Sequence, residues 1–268
     1  MSKNVRSVGA RENAFLMGLA SAGKGIFTIK EAVAFWKSPH NAKIAVHRLV
    51  TKEWLVPIEK GKYLIVPLEA GVSRKWTEDP YLIAQALVQP AAIAYWSAIR
   101  HWNWTEQIPR IVYVQTTARK KNPRRKVLGV QYEFVRVPKS KFYGHVKEWR
   151  NGKAVFITDK EKTLVDCADD VERAGTIEEL VKAVNAASSE TSWKKLNEYV
   201  HRFPNGAAKK RLGYLFETLV PALSGEAKKI LGVWQAELTA GIVPLQPSTR
   251  KGGHAVTRWR VLVNVGIE

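Results

Sequence analysis

The 268-residue sequence contains one cysteine, Cys167. That excludes an intramolecular disulfide framework and any zinc site built on several thiolates. Acidic residues are also scarce: 24 Asp and Glu stand against 43 Lys and Arg, a formal net charge of +19. The six histidines (His40, His47, His101, His145, His201 and His254) are scattered with no His-x-x-x-His pair, so no metal site is expected. Long apolar runs are missing too. The one charge-free candidate, residues 81–99, is interrupted by Gln85, Gln89, Pro90 and Ser97. Pro90 would break a spanning helix, so the expectation is two buried helices meeting at Pro90, with no membrane partner. Residues 1–13 hold Lys3, Arg6 and Arg11 without the apolar stretch and small-residue site of a secretory signal, so none is expected. The balance suits a reducing cytoplasm.

What is present is a core-forming chain. Apolar residues make up 46% of it, enough to pack one large domain or two modest ones of ~100–200 residues each. The positive charge is uneven. Residues 1–75 hold 13 basic and 5 acidic side chains, a net +8, and residues 76–150 repeat those counts. Residues 151–268 hold 17 against 14, a net of only +3. A surface kept basic for solubility alone would spread its charge. Concentration in the first 150 residues points to a polyanion, because every phosphate neutralised releases condensed counterions.

The first 70 residues read as three helices and a hairpin. Helix one spans about Arg11 to Ala22, with Phe15, Leu16 and Leu19 on its apolar side, and exits through Gly23-Lys24-Gly25. The spacing of those glycines does not match a phosphate-binding loop. Thr28 opens helix two with Glu31 three residues on, a capping box, and Ala32, Val33, Phe35 and Trp36 form its core face. Ser38-Pro39 starts helix three, with Ser as N-cap and Pro where its missing amide costs nothing. At ~100° per residue, Ala42, Val46, Leu49 and Val50 form its inner stripe. Asn41, Ile44, Arg48 and Thr51 fall opposite, flanked by His40, His47 and Lys52. Such a face suits a major groove: Arg bonds guanine bidentately, Asn bonds adenine, and an aliphatic group meets a thymine methyl. Residues 54–58 and 63–66 read as strands joined by Glu59-Lys60-Gly61-Lys62, so Lys60 and Lys62 would lie along phosphates at the tip of a wing.

Gly71 to Asp79 reads as the connection to a second domain. There, residues 111–116 and 130–137 read as strands, the latter alternating like a half-exposed one. Between them, Arg119, Lys120, Lys121, Arg124, Arg125 and Lys126 put six basic residues into eight positions. Self-repulsion makes this run a mobile loop, and its use would be as an arm on DNA backbone or on an acidic partner. Two strands follow around residues 145–149 and 154–157. Thr158 then caps a helix with Glu161 at the box position. Glu161 and Asp166 point in different directions on that helix, so capping and surface solvation are expected of them rather than metal binding. Helices are expected over residues 176–187, 193–203, 207–223 and 226–238. Strand-like runs at 243–245 and 258–264 then flank Thr249-Arg250-Lys251-Gly252-Gly253. No nucleophile–base spacing and no glycine fingerprint after a strand is found, so no catalytic residue and no cofactor is expected. The ten tryptophans read as core or interface anchors.

Several segments together resemble one family. Tyr95-Trp96-Ser97-Ala98 with His101, followed by Thr105-Glu106-Gln107-Ile108-Pro109, is similar to a "SAL…HGL…TEQxP" segment. Thr158 with Glu161-Lys162-Thr163-Leu164-Val165-Asp166 is similar to a "TPEKxxxD" helix start, and Arg211-Leu212-Gly213-Tyr214-Leu215-Phe216-Glu217 to "RLGYxxE". Arg258-Trp259 through Asn264 resembles the closing strand. In this order, behind a winged helix, these segments resemble the AbiEi-type antitoxins of abortive-infection (type IV) toxin–antitoxin systems across nearly the whole chain. Trp102-Asn103-Trp104 departs from the usual small pair after His101, and Asp159-Lys160 from the usual proline.

The resemblance implies a cytoplasmic, non-catalytic repressor that binds repeats in its own promoter. It also implies that the C-terminal domain counteracts a nucleotidyltransferase-type toxin. The expected fold class is α+β: a winged helix-turn-helix DNA-binding domain over residues 1–72 and a larger mixed α/β antitoxin domain over residues 73–268. Two other readings stay open. One is a DNA-targeted nuclease or nucleotide-modifying enzyme drawing on Glu161, Asp166, Asp169 and Asp170. The other is an RNA-binding factor using the Arg119–Lys126 arm. The sequence leaves the oligomeric state open.

Overall fold

The computed structural model describes residues 7–67, 70, 78–203, 206–249 and 252–267. It divides into two compact units, residues 1–78 and 79–268. Lys3, Arg6, most of the Gly71–Asp79 connection, Arg250 and Lys251 lie outside the described residues.

The first unit runs α1 (Ala10–Ser21), β1 (Ile26–Thr28), α2 (Ile29–Trp36), α3 (Pro39–Thr51), β2 (Leu55–Glu59) and β3 (Lys62–Ile65). Local chemistry sets the helix starts. The Glu31 carboxylate accepts from the Thr28 amide at 2.8 Å and from its hydroxyl at 2.9 Å, closing the first turn of α2. Ser38 Oγ accepts from the Asn41 amide, with Pro39 in the first turn of α3. Between α2 and α3, Lys37 takes a left-handed conformation (φ 53°) that makes the sharp turn. Phe15, Phe27, Trp36, Ala42, Val46, Leu49 and Leu55 fill the core, with Phe15 4.5 Å from Trp36 and 5.2 Å from Phe27, ring to ring. Phe35, expected inside, is 37% exposed instead, because the narrow stripe of a two-turn helix is filled by Ala32 and Trp36. The sheet has order β1-β3-β2. Its third strand, β1, is too short to carry a sequence signal and exists because Ile26–Thr28 pair with Lys62–Leu64.

The second unit holds a six-stranded mixed sheet of order β6-β7-β5-β4-β9-β8. Its elements are α4 (Pro80–Leu87), β4 (Ala92–Ile93), α5 (Trp96–His101), β5 (Ile111–Thr116), β6 (Arg124–Val127), β7 (Val130–Arg136), β8 (His145–Arg150) and β9 (Lys153–Thr158). Then come α6 (Lys160–Asp169), α7 (Ile177–Ala187), α8 (Trp193–His201), α9 (Ala207–Leu219) and α10 (Gly225–Ala236). A small sheet of order β10-β12-β11 closes the chain with β10 (Val243–Pro244), β11 (His254–Val256) and β12 (Val261–Val263). The core runs under α6 to α10 and includes Ile99, Leu164, Leu180, Leu196, Leu215, Trp234 and Trp259. Among the described residues no helix is long and apolar enough to cross a membrane.

Several expectations for this unit are corrected. The two helices do not meet at Pro90, because strand β4 intervenes and joins the sheet between β5 and β9. Strand β7 does not alternate: Tyr132, Glu133 and Phe134 are all buried, and Glu133 is tolerated inside because Arg124 and Arg173 both reach its carboxylate. The basic run is only partly a loop, since Arg124–Val127 pair along β7 as an edge strand. The cap of α6 is Asp159 rather than Thr158; its carboxylate accepts from the Lys162 amide at 2.8 Å, while Thr158 ends β9. Glu161 and Asp166 are buried, not solvated. Glu161 accepts from the Ser192 amide and pairs with Lys195, and Asp166 pairs with Lys162. Helices α8, α9 and α10 each stop short of the expected ends at Phe203, Leu223 and Leu238.

Candidate nucleic-acid interface

The interface is built on α3. Its inner side, Ala42, Ala45, Val46 and Leu49, is buried against the core, which fixes the rotation of the helix. His40, Asn41, Ile44, His47, Arg48 and Thr51 are exposed on the remaining surface. Arg48 forms no ion pair among the described residues, and Ile44 leaves 38% of its surface to solvent. Thr51 on this face and the flanking Lys52 are engaged within the unit: the Thr51 hydroxyl donates to the His47 carbonyl at 3.0 Å, and Lys52 Nζ donates to the Ser7 carbonyl at 2.8 Å beside Glu12.

The β2–β3 hairpin is the wing. Gly61 turns its tip with φ +75°, a conformation disfavoured for residues with a Cβ, and Ile29 packs close behind it. Lys60 is exposed at that tip, while Lys62 lies 3.2 Å from Glu59. Between α3 and the wing runs a groove of about 480 Å³ lined by residues including Lys43, His47, Lys60 and Tyr63. Lys43 was not singled out by the sequence reasoning. Its signal was there: it is a cation four residues before His47 on the same helix, facing the hairpin.

The second basic feature divides on inspection. Lys120 donates to the Leu87 carbonyl and lies 4.6 Å over the Phe134 ring, and Arg124 pairs with Glu133. Arg125 is half-buried on the edge strand. Arg119, Lys121 and Lys126 remain exposed.

The carboxylates that an enzyme would need do not converge. Lys162 holds Asp166, Lys141 holds Asp169 at 2.7 Å, Arg173 holds Asp170, and Lys195 holds Glu161 at 3.1 Å. Among the described residues no group of three or more His, Cys, Asp or Glu is placed to hold a metal ion. Burial lowers the His145 pKa to about 4, with the Lys162 charge adding to the effect, so this imidazole is neutral at physiological pH.

A three-helix unit closed by a basic hairpin, with a polar and cationic face on its third helix, defines a winged helix-turn-helix protein. Residues 15–66 match the family model described as the transcriptional regulator, AbiEi antitoxin. The fold of the whole chain is similar to the crystal structure of the RV2827C protein from Mycobacterium tuberculosis. The TM-score is 0.70 at 16% sequence identity, over 96% of this chain and 92% of that one. No curated protein matches the sequence.

Proposed function

We propose that the chain is an autorepressor and antitoxin: its winged helix binds duplex DNA repeats in its own promoter, and its C-terminal domain counteracts a nucleotidyltransferase-type toxin. The observation that carries the DNA half is the exposed face of α3, where Asn41, Ile44 and Arg48 stand clear of the core beside a groove lined by Lys43 and Lys60. In this reading Arg48 and Asn41 read base edges, with Ile44 against a thymine methyl. Lys60 and Lys62 hold phosphates and set the register. Arg119, Lys121 and Lys126 add backbone contacts. The toxin half rests on the resemblance of the C-terminal segments to the antitoxin family.

The test is titration of the full chain with DNA from upstream of its gene, at several salt concentrations. Arg48→Ala weakens the specific site by about 1–3 kcal/mol and relaxes base preference. Lys60→Ala weakens all sequences alike and lowers the salt slope by about one. An Arg48→Ala variant with unchanged affinity and unchanged base preference overturns the DNA assignment. The toxin half fails if co-expression does not relieve the toxicity of an adjacently encoded nucleotidyltransferase.

A further inference from the structure

The β8–β9 hairpin carries a feature that neither DNA reading nor core packing uses. The pairing register places Lys147 opposite Phe156 and Trp149 opposite Ala154, so these four side chains share one face. On that face Trp149 is 64% exposed and Phe156 41%, although both are residues a core normally claims. Their positions are diagonal across the two strands, about 7–8 Å apart. Lys147 Nζ lies 4.3 Å over the Trp149 ring. The hairpin's one carboxylate, Glu148, belongs to the opposite face. There Arg150 also meets His101 at 3.2 Å and the Tyr81 ring at 5.6 Å. The turn is tight: Asn151 and Gly152 have φ values of 48° and 70°, the two-residue type that matches strand twist and holds the face in place.

Two exposed rings at neighbouring positions, with a cation on the indole and no carboxylate from the hairpin on their face, match the chemistry of unpaired bases on a phosphate chain. We propose that the Lys147/Trp149/Phe156 face of the β8–β9 hairpin binds single-stranded nucleic acid, with Trp149 and Phe156 stacking on bases and Lys147 meeting the backbone. A purely apolar protein partner would leave the lysine charge unmatched. Duplex DNA hides its base faces in the stack, so this activity is separate from that of the winged helix.

The experiment uses the full chain carrying Arg48→Ala and Lys60→Ala, which weakens the duplex site. Fluorescein-labelled oligothymidylate and oligouridylate of about 12 nucleotides, within the ~4–16 that one binding module covers, are the probes. Trp149→Ala lowers affinity for the preferred oligomer roughly 5- to 150-fold, the range of one base–aromatic stack, and Trp149→Phe restores part of it. Phe156→Ala lowers it similarly, and duplex binding in the otherwise unaltered chain does not change. The two oligomers distinguish RNA from DNA through the 2′-hydroxyl. Oligomer affinity unchanged by both alanine variants overturns the proposal. So does unchanged oligomer affinity combined with lost toxin neutralisation, which would make the face a protein contact. Because Trp149 is largely exposed, thermal melts of the variants match the parent, and a failure to bind is not a failure to fold.

Discussion

Removing Lys162 is the sharpest test of how the second unit is held together. Its side chain is completely buried on α6, paired with a buried Asp166 one turn on, and its ammonium lies 5.0 Å from the Tyr143 ring and 5.2 Å from the Phe203 ring. Lys162→Met keeps the length and apolar stem but leaves the Asp166 charge without a counterion in a desolvated interior. Losing one partner of such a pair costs about 3–5 kcal/mol. At roughly 2–4 °C per kcal/mol for a unit of this size, the transition falls by about 6–20 °C.

The pH dependence has a definite sign. Burial already raises the Asp166 pKa above its usual value of 3.8, and Lys162 offsets that only in part. Without the lysine the folded pKa rises further, so the folded state binds the proton more tightly than the unfolded chain does. The variant's deficit is therefore largest above the folded pKa of Asp166 and shrinks on acidification toward 3.8. Calorimetry or urea titration across pH reads both effects. Lys162→Met/Asp166→Leu should recover most of the loss, because a buried pair replaced by packed apolar groups is often neutral or better. A single-variant loss under about 1 kcal/mol, or a double variant no more stable than the single, would refute the reasoning.

Two further perturbations probe packing and capping. A Cβ added at Gly213 on α9 would lie 2.1 Å from the buried Trp259 ring, so Gly213→Ala should destabilise the second unit by about 1–3 kcal/mol, read by thermal melting. In the first unit, burial pushes the Glu31 pKa up, but Lys24 and the Thr28 amide and hydroxyl outweigh it and hold the carboxyl below its usual 4.5. Its contribution is thus fully present above 4.5 and lost as pH falls through the lowered folded value. Glu31→Gln should cost about 1 kcal/mol at neutral pH and make unfolding of this unit less acid-sensitive, a change followed by circular dichroism. Equal acid sensitivity in the two proteins would count against the capping argument.

Much of the first unit could be read in advance because its signals are local. Thr28 with Glu31 and Ser38 with Pro39 fix two helix starts within four residues, and the 3.6-residue stripe of α3 sorts Leu49 inward and Arg48 outward with no knowledge of the rest of the chain. Strand β1 was missed because three residues carry no period, and it forms only by pairing with β3 more than thirty positions away. Lys43 was overlooked because its value depends on where the wing folds back. Trp149 was read with the other tryptophans as a core or interface anchor and Phe156 was not singled out, since an exposed ring and a core ring look alike in sequence.

The sequence by itself determined the helix-turn-helix, the basic hairpin, the charge asymmetry and the family likeness. The first two depend on neighbours within a turn or two, the third on composition alone, and the last on the order of short segments along the chain. Only the tertiary structure decided the fate of the charges in the second unit. Arg124 became part of an edge strand instead of a free arm, Glu133 was drawn inside between two arginines, and Glu161 and Asp166 were buried against lysines instead of solvated. The physical reason is that desolvation and strand pairing depend on partners brought together from distant positions. The cost of burying a charge cannot be weighed until the residue that answers it has been placed.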